Sequence, residues 1–326
     1  MEVEDRPELC FPQFPNTSCI KSSPWPQTVT IMFYSISLIT VVLNLFIIIS
    51  ISHFRQLHTP TNILLLSLAV SDLIVGLVLM PVQIFNRTSC WVFGDFVCAT
   101  YISISIIIPS ASIGDIVLIS VDRYVAICYP LHYTTKITVR RVKFCVCLCW
   151  LWYFTYSLLI VKDLPTQTGS YKPCYGACGL SPDNGLLIFD LFLNFIVPVT
   201  VIVALYLRVF AVAVSQARAM RSHITAVTLQ HSVTPKAKKS ELKAARKLGV
   251  LVLVFLICIS PLYIIGWLDY NWIVAPLLDA SVILFLSNSC LNPVIYAFLY
   301  PWFRKAVKLI VTLQILQPGS SETNML

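Results

Sequence analysis

The sequence predicts an all-α membrane protein: a seven-transmembrane helix bundle plus a short amphipathic cytosolic helix. Three observations carry that reading. Of the 326 residues, 57% are hydrophobic and only 12% charged, with a mean hydropathy of +0.81. Soluble domains carry roughly 25% charged residues, and a chain of this length cannot hide so much apolar surface in one or two cores. Seven mostly apolar runs follow one another at about 29–51, 63–85, 97–127, 142–161, 186–214, 248–268 and 273–299, each near or above the ~20 residues that cross a hydrocarbon core. They far exceed the ~10-residue strands of a membrane barrel, so their backbone groups must bond within helices. Finally, 18 of the 23 Lys and Arg fall at one set of run ends, and only Arg6, Lys21, Arg87, Lys162 and Lys172 at the other. Basic residues stay on the cytosolic side, so a multi-pass chain with its amino end extracellular is expected.

Residues 1–27 are polar and acidic, with Glu2, Glu4, Asp5 and Glu8, and lack the basic head and apolar run of a cleavable signal peptide. They are expected to form an extracellular segment. Residues 28–299 form the bundle. Pro109, Pro198 and Pro261 lie inside the third, fifth and sixth runs; each removes a backbone hydrogen bond and is expected to bend its helix. Asp72, Ser112, Asn288, Ser289 and Asn292 are polar groups at mid-membrane depth, where a carboxylate needs partners or a cation. Residues 300–314 form the amphipathic helix. Trp302, Phe303, Val307 and Leu309 are expected toward lipid, and Arg304, Lys305 and Lys308 toward anionic headgroups. Residues 315–326 are a cytosolic tail.

Six of the twelve cysteines, Cys10, Cys19, Cys90, Cys98, Cys174 and Cys178, fall on the outer side. An even number suits an oxidising compartment, and six allow 15 connectivities. Asn16 and Asn86 begin glycosylation acceptor triplets. Nine acids against five bases make the outer side negative, a field that gathers cations. All five histidines lie on the cytosolic side. No nucleophile, base and orienting group come together on the outer side, so an enzyme is not expected. The formal charge of +8 follows from the sidedness of the basic residues rather than from nucleic-acid binding.

The motifs make this architecture specific. Asn44 stands in Val-Leu-Asn-Leu, Asp72 closes Leu-Ala-Val-Ser-Asp, and Asp122-Arg123-Tyr124 ends the third run. Trp150 marks the fourth, Pro198 and Pro261 the fifth and sixth, and Asn292-Pro293-Val-Ile-Tyr296 the seventh. In this order the chain resembles the rhodopsin-like class A G-protein-coupled receptors along nearly its whole length. Within them it resembles the trace amine-associated receptors, through Asn288-Ser-Cys-Leu-Asn-Pro-Val-Ile-Tyr-Ala-Phe-Leu-Tyr-Pro-Trp302-Phe303-Arg-Lys, His58-Thr-Pro-Thr-Asn, Glu241-Leu-Lys-Ala-Ala-Arg-Lys-Leu-Gly and the Cys10…Cys19-Ile-Lys pattern.

The resemblance implies roles. A sodium and water pocket is implied at Asp72, Ser112, Asn288, Ser289 and Asn292; the residues alone also read as an interhelical hydrogen-bond cluster around a protonated Asp72. An Arg123–Glu241 salt bridge at the ends of the third and sixth helices is expected to break on activation, with Asp122, Tyr124, Phe255, Pro261, Pro293 and Tyr296 in the same switch; these charges also read as solvated interface residues. Cys98 and Cys178 match the family's bridge, and a second bridge joins Cys19 or Cys10 to Cys174. The aspartate that holds the ligand ammonium in aminergic receptors would lie 18 residues before Arg123, where this chain has Ser105. Some members, especially from fishes, resemble it in carrying a fifth-helix acid instead, here Asp190, eight residues before Pro198 with Asn194 one turn below. Tyr263 and Phe285 would wall the site, and Asp269 and Asp279 would escort an amine or hold a second ammonium. Asp115 is expected to make a structural hydrogen bond. The sixth helix reads Cys258-Ile259-Ser260-Pro261, without the family's Trp, so coupling is expected through Ile259 and Phe255.

The implied partners are a small amine, a heterotrimeric G protein of stimulatory or olfactory type, arrestin and a receptor kinase, and membrane lipid. The expected function is chemosensory detection of cationic amines at the plasma membrane through cyclic AMP. The alternatives are a class A receptor for a neutral odorant or a peptide, since the third-helix acid and the sixth-helix Trp are both missing, and a transporter. The internal repeats and paired broken helices of a transporter are not seen in the sequence.

Overall fold

The computed structural model describes residues 9–10, 12–13, 19, 25–161, 176–179, 184–226, 236–266 and 274–325. Within helices, the side chains of 184, 213–214, 216–226, 236–248, 274–275 and 298–299 lie outside the description. Every long apolar run forms a helix: α1 (Gln27–His53), α2 (Pro60–Thr88), α3 (Gly94–Cys128), α4 (Val139–Val161), α5 (Asn184–Leu191 continuing through Val197–Ala226), α6 (Lys236–Ile265) and α7 (Val274–Leu299). Six are long and apolar enough to cross a membrane, and Gly249–Ile265 is the apolar part of α6. Large apolar side chains such as Leu38, Leu159, Leu207 and Phe210 stand exposed on the outside of the bundle. Such a surface is stable against lipid and not against water.

The order of packing follows from which faces are polar or small. Helix α3 lies at the centre, against α2, α4, α5 and α6, while α1 packs on α2 and α7. On α1 the buried stripe Phe33, Ser37, Thr40, Asn44, Ile47 and Ile51 repeats every three or four residues. Asn44 donates from Nδ2 to the carbonyls of Thr40 and Ser289, tying α1 to α7 (2.9 and 3.1 Å). Thr59 caps α2 by accepting from the Asn62 amide, with Pro60 in the first turn.

α3 runs unbroken through Pro109, whereas π turns occur at Val75–Leu79 and Phe192–Ile196, just before Pro81 and Pro198. A wide turn relieves the clash of a proline ring with the preceding turn and adds a residue. The carbonyl of Gly76, within the first π turn, accepts from Ser37 Oγ at 2.7 Å.

Helix α8 (Pro301–Val311) follows α7, as expected, but its apolar face turns the other way. Trp302, Phe303 and Ala306 are buried in the cluster that holds Ile51, Phe54 and Leu57, with Val307 and Leu309 packed beside them. The bundle end, rather than lipid, covers that stripe. The tail beyond it is folded back: Met325 is buried in the same cluster and its amide donates to Gln56 Oε1 (2.9 Å).

Candidate ligand site and signalling face

At the end of the bundle that carries the amino-terminal segment, a cavity of about 300 Å³ opens between α2, α3, α6 and α7. Its lining includes Gln83, Tyr101, Ser105, Pro109, Leu262 and Phe285. The volume is at the small end for ligand pockets, and among the described residues no acid lines it. Ser105 spends its hydroxyl on the Ile102 carbonyl (2.8 Å) and brings no charge. Gln83 and Tyr101 were not foreseen as wall residues. Tyr101 donates to Gln83 Oε1 at 3.1 Å, which fixes both.

Asp190 lies behind one wall of this cavity. Its Oδ1 accepts from Tyr156 Oη of α4 at 3.0 Å and from Asn194 Nδ2 at 2.7 Å. Tyr153, one turn before Tyr156 on α4, packs in the same cluster as Tyr156. Tyr263 stacks on Phe195, with centroids 4.9 Å apart and planes at 14°. Ile106 joins the two regions: it lines the cavity and packs in the cluster of Tyr153 and Tyr156. Asp190 and Asn194 are thus bonded to each other and to α4, and neither they nor Tyr263 belong to the cavity lining that holds Ser105 and Phe285. The phase comes from the π turn, whose extra residue rotates everything beyond it by about 100° relative to a plain helix counted from Pro198.

Other side chains at this end have partners. Asp279 forms an ion pair with Arg87, and Trp25 Nε1 donates to its Oδ2 at 3.0 Å. Asn86 lines the cavity and donates to the Cys178 carbonyl (3.4 Å). Of the two alternatives expected for a bridge to Cys174, the one through Cys10 is removed, because Cys10 is bonded to Cys90. Cys98 and Cys178 are joined, with Cα atoms 5.7 Å apart, and Cys19 is also disulfide-bonded. Asn16, Cys174, Asp269 and the side chain of Glu241 lie outside the described residues.

In the middle of the bundle, Asn292 Nδ2 donates to Asp72 Oδ2 (2.8 Å) and Ser112 to Ser71 (2.8 Å). Ser112, Asn288, Ser289 and Phe255 line a cavity of about 20 Å³, room for one water-sized species. The buried oxygens Asp72 Oδ1, Asn288 Oδ1 and Asn292 Oδ1 have no hydrogen-bond partner among the described residues. Ser112, Asn288 and Ser289 bring oxygens to that cavity, while Asp72 and Asn292 lie outside its lining; oxygen donors are the kind a small hard cation such as sodium takes. Asp115, fully buried, is held as expected by a structural bond: Trp150 donates to Ser67 (3.0 Å), and Ser67 to Asp115 Oδ2 (2.7 Å).

At the opposite end, Asp122 gathers donors from three elements: Thr61 of α2 at 2.9 Å, Tyr133 of the short helix Pro130–Lys136 at 2.9 Å, and Arg123 Nε at 2.9 Å. The Arg123 guanidinium also reaches Thr61. Burial, reinforced by the negative charge of Asp122, holds the Tyr133 hydroxyl above its usual range. It therefore keeps its proton and remains a donor. Tyr124 packs edge-on against Tyr129. Tyr296 is buried, and Phe255 and Ile259 share its cluster; Pro261 and Pro293 lie inside α6 and α7.

The model of the 7 transmembrane receptor (rhodopsin family) matches residues 43–296. Trace amine-associated receptor 13c of Danio rerio is 37% identical, covering 98% of this chain and 97% of its own. Trace amine-associated receptor 9 of Mus musculus is 38% identical over 98% of this chain and 94% of its own, and receptor 1 of the same species 36% over 94% and 96%. These are multi-pass membrane receptors and not enzymes. The chain belongs to the trace amine-associated receptors, within the rhodopsin family of G-protein-coupled receptors.

Proposed function

We propose that this receptor detects small cationic amines at the plasma membrane, with its amino end outside, and couples to a stimulatory G protein to raise cyclic AMP. The observation that carries the reading is the Asp190 carboxylate, bonded by Tyr156 and Asn194, with Ile106 linking the cluster of Tyr156 to a cavity of ligand size. Both donors among the described residues go to Oδ1, so Oδ2 is the atom for an ammonium. Aromatic faces add attraction for a cation in a site shielded from water. The relatives' names give trace amines as the class they serve, and the lysine and arginine distribution supports the orientation.

Activation is a shift between states by differential affinity. An ammonium drawn to Asp190 pulls on α5 and, through the Phe195–Tyr263 stack, on α6. At the far end the Asp122 network must release Arg123 for a G protein to enter. Where sodium binds, Asp72, Ser112, Asn288 and Ser289 hold it; a cation there stabilises the resting arrangement of α2, α3 and α7.

A cyclic-AMP assay across an amine panel tests this reading. Asp190→Ala is expected to raise the effective concentration at least about 30-fold, since removing one partner of a buried charge pair costs roughly 2–5 kcal/mol. An unchanged dose response rejects the anchor. The rival, a neutral ligand, draws on the absence of an acid from the cavity wall among the described residues; activation by neutral compounds with amines silent would establish it.

A further inference from the structure

We propose that Arg87 sets the number of charges the ligand carries, by cancelling Asp279 so that the site takes a monoamine and refuses a diamine. The inference rests on the amine reading above and adds the ligand class.

Three elements meet on Asp279. Arg87, next to last in α2, forms the ion pair with Oδ1, and the Trp25 indole, two residues before α1, donates to Oδ2 at 3.0 Å. The two charged side chains are 27% and 24% exposed, so water screens them less than a surface pair and the neutralisation is effective. The register puts this pair at the mouth of the cavity. On α2, Gln83 and Asn86 line the cavity, and Arg87 lies one turn beyond Gln83. On α7, Val282 and Leu286 line it, and Asp279 lies one turn before Val282.

The consequence is electrostatic. A vestibule holding both Asp190 on α5 and an unpaired Asp279 on α7 would present two negative poles across the cavity, an arrangement suited to a cation at each end of one ligand. The Arg87 guanidinium removes the second pole. It also occupies the ground a second ammonium would need, and like charges repel. One unmatched carboxylate remains among the acids whose side chains are described at this end of the cavity, and one ammonium matches it. A plain structural tie between α2 and α7 would use the same ion pair but would have no effect on the ratio between singly and doubly charged ligands.

The experiment compares linear α,ω-diamines of four to ten carbons with primary monoamines of equal length, in a cyclic-AMP assay at matched surface expression. Wild type is expected to prefer the monoamine of each pair. Arg87→Gln frees Asp279 and is expected to raise diamine potency, relative to its monoamine, about tenfold or more for chains that span the two acids. Adding Asp279→Asn to Arg87→Gln is expected to abolish that gain. Asp279→Asn alone leaves Arg87 unbalanced and is expected to weaken monoamines several-fold, a reading that stands even where Arg87→Gln fails to reach the surface. A wild type that answers diamines as readily as monoamines overturns the inference. So does an unchanged ratio in Arg87→Gln while monoamine responses still depend on Asp190, and the amine reading survives both results. A wild type silent to every amine overturns the amine reading and this inference with it.

Discussion

Asp190 and Tyr156 form the pair on which recognition turns. A hydrogen bond to a charged group is worth about 1.5–3 kcal/mol, and here its role is to hold Oδ1 so that Oδ2 faces the ligand. Tyr156→Phe keeps the ring and loses that bond. It is expected to cost amines about three- to tenfold in potency, less than Asp190→Ala, with the maximal response retained; dose-response curves on both variants check the order. Tyr156 was not legible in the sequence as a site residue, although a signal was present. Tyr153 and Tyr156 stand three residues apart in a span rich in Leu, Trp and Phe, and phenol groups within a membrane need partners. Asp190 itself was legible, because intramembrane acids are few. Asn194, one turn below it, was legible from helical spacing; the bond from Tyr156 was not, because it needs the spatial meeting of α4 with α5. Arg87 and Asp279 were read separately, as a base and an acid of the outer side. Their union needs the spatial meeting of α2 with α7, which lies outside any local pattern.

Among the elements, α3 and α4 show how close packing substitutes for polarity. A Cβ at Gly114 would overlap Cys149 Sγ, and the next atom, Tyr153 Cε2, stands at 3.3 Å. The glycine therefore brings the two helices together beside the Trp150–Ser67–Asp115 chain. Gly114→Ala is expected to destabilise the receptor by about 1–3 kcal/mol through overpacking, lowering its melting temperature in detergent. Cys149→Ala in the same chain should restore most of the loss, which intrinsic-fluorescence melting measures. The spans themselves were readable to within a few residues, since apolar length is a strong signal. The inward turn of Trp302 and Phe303 was not. Amphipathicity identifies a face without saying whether lipid or protein covers it.

For the whole molecule, the two ends behave as a clamp and a latch. The bridges Cys10–Cys90 and Cys98–Cys178 tie the amino-terminal segment and the 176–179 stretch to the ends of α2 and α3. Cys98→Ser is expected to lose most surface expression or ligand response. Cys10→Ser should be milder, because the cavity lining includes Cys178 and not Cys10. At the other end Thr61, Tyr133 and Arg123 all serve Asp122. Tyr133→Phe removes one donor and is expected to raise basal cyclic AMP several-fold without moving the amine's effective concentration upward. The Tyr133 hydroxyl is raised above its ordinary value, so its proton is present at all lower pH and lost only as pH climbs through that raised value. Basal signalling of the wild type should therefore not change between pH 6 and pH 8 on account of this group.

The account depends most on where the ligand's nitrogen rests. An experimental structure of the receptor with a bound primary monoamine and its G protein reads that directly. The expected result is an ammonium about 3 Å from Asp190 Oδ2, enclosed by Tyr153, Tyr156 and Tyr263, with Arg87 still paired to Asp279. An ammonium lying elsewhere in the cavity, with Asp190 bonded only to Tyr156 and Asn194, would contradict it.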